Sequence, residues 1–308
     1  MLCTLDSGLM GCDTLLRMAD RSWTTNELKR LGVYIRDGAR KGDFPTYDDV
    51  RSHYGQVAVR VQQKVSELDW KYLLGRQRFA VTSRAKTIDT LRDKLRRDRS
   101  TPLSSVQDIA GVRFEAEMSL SEQRAVAGTI ARVFDHDPSN SVHDLLARPN
   151  RGYRALHVWL RLPERVEVQV RTQLQGAWAN LYEELGDVVG RGIRYGAMPL
   201  DAPARGIVEK LQEMSLQKIA VMEESHDRHY LEFEAYEQRS RRLKKAIGSE
   251  GEGIERSAPF RAQTERYERQ KDELRRYERN LHEILKELTE NIRTIKGRER
   301  KGDDRLLN

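Results

Sequence analysis

Residues 165–172 read R-V-E-V-Q-V-R-T. Val166, Val168 and Val170 alternate strictly with Glu167, Gln169 and Arg171, which is the two-residue period of a β-strand. One face of that strand belongs to a core. The other carries a carboxylate, an amide and a guanidinium side by side, although a solvated strand face reads the same way. A preceding strand is expected over 153–162. Three residues or fewer separate the two, with Pro163 in the connection, so they form an antiparallel hairpin.

Working outward, a short strand is expected near 79–82, a helix at 87–98, a strand at 109–117 and a helix at 119–134. Residues 137–151 carry Pro, Asn and Ser and read as a loop. A helix over 172–188 follows the hairpin, and Gly190, Gly192, Gly196 and Pro199 mark a linker. Before the first strand, 24–37 and 47–72 read as helices, with Thr24 or Thr25 as cap and Glu27 close behind. In the second, Val50, Val57, Val61, Val65 and Leu68 fall at helical spacing and face a core. Residues 1–23 read as weakly structured, and either Met1 or Met18 serves as a start.

The C-terminal third differs. Residues 203–246 and 260–297 are charge-dense helices broken by Gly248, Gly251, Gly253 and Pro259. In the second, Tyr267, Leu274, Leu281, Leu288 and Ile295 recur every seven residues, with Tyr277 and Ile284 between. In the first, Ile219, Met222, Phe233, Tyr236 and Leu243 fit a similar seam. The pattern predicts an antiparallel coiled-coil hairpin over 203–297, then a disordered tail at 298–308. The alternative is that both helices pack on the preceding domain.

The chain has 308 residues, a net charge of +7 and two cysteines. It holds one sizeable domain plus an appendage. The modest basic excess suits a polyanionic partner or simple solubility. Cys3 and Cys12 build neither a disulfide framework nor a zinc site. No apolar run reaches membrane-spanning length and no signal pattern opens the chain, so a cytoplasmic location is expected.

Chemistry concentrates in four blocks. S-R-A-K-T-I-D-T-L-R-D-K at 83–94 opens a basic stretch whose Arg84, Lys86 and Lys94 fall at a strand-to-helix junction, suited to phosphates. Alone it also reads as a solvated helix face. No Walker-type glycine loop occurs. D-I-A-G-V-R at 108–113 puts Asp108 at a strand start, where a carboxylate binds magnesium or simply makes a turn. Strand parity sets Asp108 and Arg113 on opposite faces unless Asp108 precedes the regular strand or Gly111 bulges it. G-Y-R-A-L-H at 152–157 offers Tyr153 as a stacking ring or a core residue, and His157 on the polar side of its strand. Glu167 supplies a second carboxylate, completing the inventory of metal-assisted phosphoryl transfer. His136-Asp137 and His226-Asp227 suggest a metal hydrolase only weakly. His226 and His229 fall on the seam of a long helix and read as interior residues.

Together and in this order, the four blocks resemble the synthetase domain of RelA/SpoT-type (p)ppGpp synthetases, over about residues 45–190 within an expected domain of 24–190. The resemblance implies an α/β (α+β) fold: a nucleotidyltransferase-like mixed β-sheet flanked by helices, here with the C-terminal long-helix hairpin. It implies transfer of the β,γ-pyrophosphate of ATP to the 3′-hydroxyl of GDP or GTP, with Mg2+. By position, Arg84, Lys86, Lys94 and Arg113 match ATP-phosphate contacts. Thr90 stands where the family often has serine. Asp108 and Glu167 match the catalytic, metal-binding acids, and Tyr153, His157, Gln169 and Arg171 the acceptor side. The chain looks like a small stand-alone member. Many small members carry a Glu-His pair in the next helix where this chain has Tyr182 and Glu183. Toxic small members modify the tRNA 3′ CCA end, so tRNA is the alternative acceptor. A catalytically degenerate binding module is the third reading. The outer face of the C-terminal helices is open to RNA, a second copy or a neutralising antitoxin.

Overall fold

The computed structural model describes residues 21–75, 77–247 and 257–306. The weakly structured start expected over 1–23 lies outside them through residue 20, as does the glycine-rich break at 248–256. The chain divides into two compact units. One holds the described residues through Ala116, with Arg124–Asp144 and Leu156–Val170; the other holds Glu117–Gln123, Leu145–Ala155 and the described residues from Arg171 on. The division therefore falls earlier than the linker expected at 190–203, because the helix after the hairpin shares its core with the C-terminal helices.

The first unit opens with α1 (Thr25–Asp37), capped by Thr24, whose hydroxyl accepts the Glu27 N–H while the Glu27 carboxylate accepts the Thr24 N–H. Helix α2 (Tyr47–Ser66) buries Val50, Val57, Val61 and Val65 completely and packs on β1 (Phe79–Ala85) and β2 (Ala110–Ala116). It ends sooner than expected, and the short α3 (Lys71–Leu74) follows. Then come α4 (Ile88–Arg97), α5 (Leu120–Val133), α6 (Pro138–Ser141), β3 (Val142–Asp144), β4 (Leu156–Arg161) and β5 (Arg165–Thr172). The last two form the expected hairpin, with Arg161 opposite Arg165.

The five strands make one mixed sheet in the order β1-β2-β5-β4-β3. One face is apolar: Ala110, Val112 and Phe114 of β2, Val166, Val168 and Val170 of β5, and Leu156, Val158 and Leu160 of β4 are all buried. Removing these side chains from water is the main driving force of this layer. The opposite face carries the polar residues. Helix α6 and strand β3 occupy the stretch expected to be loop. Asp137 caps α6 by accepting the Ser139 N–H, and Pro138 sits at the first helical position. A three-residue strand is too short to show a period.

The second unit is helical: α7 (Gln173–Val189), α8 (Ala202–Glu213), a π-helical turn (Met214–Ile219), α9 (Ala220–Ile247) and α10 (Ala258–Leu306). The tail expected from 298 is corrected, since α10 continues to Leu306. The expected heptad row is also corrected. Among the described residues Leu281, Leu285 and Ile292 are the buried apolar positions of α10, packed with Leu174, Trp178, Leu181 and Leu185 of α7 and joined there by half-buried Leu288, whereas Tyr277, Ile284 and Ile295 are exposed. Nearer its start, α10 meets α9 through aromatic rings: Tyr267 lies 5.8 Å from His229, 5.6 Å from Phe233 and 5.3 Å from Tyr236. A straight helix drifts about 20° per heptad from a seven-residue repeat, so one row cannot serve both partners.

Candidate active site

The site residues of the first unit lie on the polar face of the sheet and at one end of it. Asp108 occupies a turn and Ala110 begins β2, so the carboxylate precedes the regular strand and escapes its parity. Its two oxygens accept from Lys86 Nζ at 2.5 Å and Lys94 Nζ at 2.7 Å. Burial pushes the Asp108 carboxyl up, but the two ammonium groups outweigh it and hold it at about 2. Lys86 is itself anchored: its N–H donates to the Ile109 carbonyl at 3.0 Å and its own carbonyl accepts the Tyr47 hydroxyl. Lys94 comes from α4, which begins beyond Thr87.

Arg84 and Arg113 share the polar face by register. Arg84 stands opposite Gly111 and Thr82 opposite Arg113, which makes the two arginines diagonal neighbours across β1 and β2. Arg84 is exposed and Arg113 half-buried.

Glu167 is buried, at 7% exposure, although it sits on the polar face. Gln169 Nε2 donates to Oε1 at 2.7 Å, while His157 Nδ1 lies 3.3 Å and the Trp159 indole nitrogen 3.2 Å from Oε2. Burial pushes this carboxyl up. The charge and hydrogen bond of His157 and the Gln169 amide hold it below the ordinary value, against a contrary push from the charge of Asp108. Both acids are therefore anions near neutral pH, and close enough to feel each other.

In the second unit, Arg171 donates to the Tyr153 hydroxyl at 2.8 Å, and its guanidinium carbon lies 5.1 Å from the ring centre. Tyr153 is half-buried beside the α7 core. Its predecessor must be glycine: Gly152 has φ +83°, and a Cβ there would lie 2.8 Å from the Trp178 ring. Tyr182 is a core residue, stacked on Trp178 at 4.7 Å and accepting from Gln212 at 2.8 Å.

The His-Asp pairs serve structure. His136 Nε2 accepts the Arg161 N–H at 2.8 Å, and Asp227 accepts the Ser121 N–H at 2.6 Å near the start of α5. Two residues of the Glu167 surroundings escape motif reading, Trp159 and His143. A third His-Asp pair, His143-Asp144, contains one of them, and counting back from the hairpin turn would have placed Trp159 opposite Glu167.

Among the described residues no three His, Cys, Asp or Glu side chains cluster to hold a metal. Two anionic carboxylates fit Mg2+ nonetheless, because that ion keeps several waters and binds through one or two carboxylates plus substrate phosphates. No helix among the described residues is long and apolar enough to cross a membrane.

A family profile described as a region found in RelA / SpoT proteins matches residues 83–185. Uncharacterised proteins of Mycobacterium tuberculosis and Mycobacterium bovis are 45% identical over 194 residues, which is 62% of this chain and 69% of theirs. Among solved structures, small alarmone synthetase 1 from Bacillus subtilis is similar at 19% identity and a TM-score of 0.45, covering 63% of this chain and 98% of that one. A GTP pyrophosphokinase family protein from Streptococcus pneumoniae is similar at 18% identity and a TM-score of 0.44, covering 64% and 97%. The chain belongs to the RelA/SpoT family.

Proposed function

We propose that this RelA/SpoT-family chain transfers the β,γ-pyrophosphate of ATP to the 3′-hydroxyl of GDP or GTP. The observation that carries the reading is the pair of anionic carboxylates, half-buried Asp108 and buried Glu167, with two lysines clamped on the first. The 3′-oxygen attacks the β-phosphorus, the bond from that phosphorus to the α,β-bridging oxygen breaks, and AMP leaves. Arg84, Arg113, Lys86 and Lys94 bind the phosphates and offset charge as it moves to the leaving group. Phosphate oxygens compete with Asp108 for the lysines, which frees carboxylate oxygens. Asp108 and Glu167 would hold Mg2+, which supplies electrophilic activation of the phosphoryl group. Glu167 also takes up the hydroxyl proton, and Tyr153 stacks on the acceptor base with Arg171, Gln169 and His157 as polar contacts.

A tRNA 3′ end is the second reading, favoured by the net charge of +7 and by Tyr182 in place of the acid-histidine pair. Incubation with γ-labelled ATP and either GDP/GTP or deacylated tRNA decides between them. Label in free nucleotide supports the first reading and label in tRNA the second. Label in neither, with magnesium present, overturns both.

A further inference from the structure

We propose that Trp159 is a positioning residue for the Glu167 carboxylate, and that His143 is the brace that sets the angle of its indole. The inference rests on the role given to Glu167 above. Trp159 stands on β4 directly opposite Glu167 on β5, and its Nε1 donates to Oε2 at 3.2 Å. An indole N–H only donates, so this contact favours the ionised acid. His157 reaches the same oxygen at 3.3 Å, while Gln169 holds the other at 2.7 Å. Donors at both oxygens fix the plane of the carboxylate, which phosphoryl transfer needs because catalysis there is mostly positioning.

The indole is held in turn. The His143 ring lies against it, centroids 3.7 Å apart and planes 38° off parallel. In the register of β3 and β4, His143 stands opposite His157. That row runs on to Gln169, and the diagonal ring contact of His143 with Trp159 links all three strands to Glu167. The buried His143 Nε2 makes no hydrogen bond, so at this contact the ring acts through its face.

The test compares Trp159→Phe, His143→Ala and His143→Phe in the full chain. Trp159→Phe keeps the ring contact and removes the donor; kcat should fall about tenfold, the worth of one charge-assisted hydrogen bond, with both KM values within about twofold. His143→Ala should lose kcat several-fold and His143→Phe should restore it. A second readout needs no turnover. With 5-fluorotryptophan in place of the four tryptophans, the Trp159 fluorine resonance is assigned by its absence in Trp159→Phe. It should move in Glu167→Ala while the other three stay. Wild-type kcat in both Trp159→Phe and His143→Ala, a kcat loss matched by a lower melting temperature, or a Trp159 resonance unmoved by Glu167→Ala would each overturn the proposal. A wild-type chain that transfers to no acceptor overturns the functional reading instead, and the fluorine resonance still decides the contact.

Discussion

Strand β5 and helix α10 carry the two strongest periodicities in the chain, and they fare differently. In β5 the alternation holds throughout: the valines are buried on one side, and Glu167, Gln169 and Arg171 lie on the other. In α10 the seven-residue row holds at Leu281 and fails at Ile295, where burial has passed to Leu285 and Ile292. The reason is the ladder. Hydrogen bonds to β4 lock which face each β5 residue takes, since a slip of one residue would invert every side chain. Nothing comparable locks a helix about its own axis. Its rotation is set by partners, and α10 has two, α7 and α9.

The largest effect expected is at the sheet. Glu167→Gln should lower turnover on the order of 10²-fold or more with the unfolding transition unchanged, because the residue leaves the apolar face untouched. Turnover of labelled ATP measures it. Wild-type rates would remove the polar row from the mechanism and erase the distinction between the two regions.

Next comes the helix. Leu285→Ala should cost about 2–5 kcal/mol in denaturant unfolding, whereas Ile295→Ala should stay within about 0.5 kcal/mol. Equal costs would restore the heptad seam and contradict the α7 packing.

Tyr153→Ala should weaken acceptor binding by roughly 1–3 kcal/mol and leave ATP binding alone. Titrations of each nucleotide separate these outcomes. A loss confined to ATP would move Tyr153 to the donor side.

The smallest effect is a difference in pH dependence. In the helical unit, burial and the charges of Glu117 and Glu223 push the Glu278 carboxyl up to about 7. Its folded value exceeds the unfolded one, about 4.3, so its stabilisation is complete below that value and is lost as pH rises through 7. Asp108 has the opposite sign: its contribution is present above about 4 and is lost as pH falls through about 2. Glu278→Gln should flatten the melting temperature between pH 4.5 and 7.5, a change of roughly 2–4 °C. A slope unchanged by that substitution would show that Glu278 is not the group responsible.

Much of this was readable in advance. The parity of R-V-E-V-Q-V-R-T, the short hairpin connection and the apolar spacing of α2 identified the central strands and the helix covering them, because each is a local pattern of a long element. Strand β3 and α6 left no periodic trace. Glu167 was legible as a residue of the polar face, but its burial was not, since covering that face takes contacts from outside the strand.

The sequence by itself determined which residues alternate, where the acids and cations fall, and that two charge-dense helices close the chain, for these follow from backbone period and side-chain type. Only the tertiary structure decided that Asp108 is held by both Lys86 and Lys94, that Trp159 and His143 back Glu167, and that α10 gives its apolar side to α7. Those outcomes depend on which elements meet, and burial, charge pairing and packing arise only when distant segments come together.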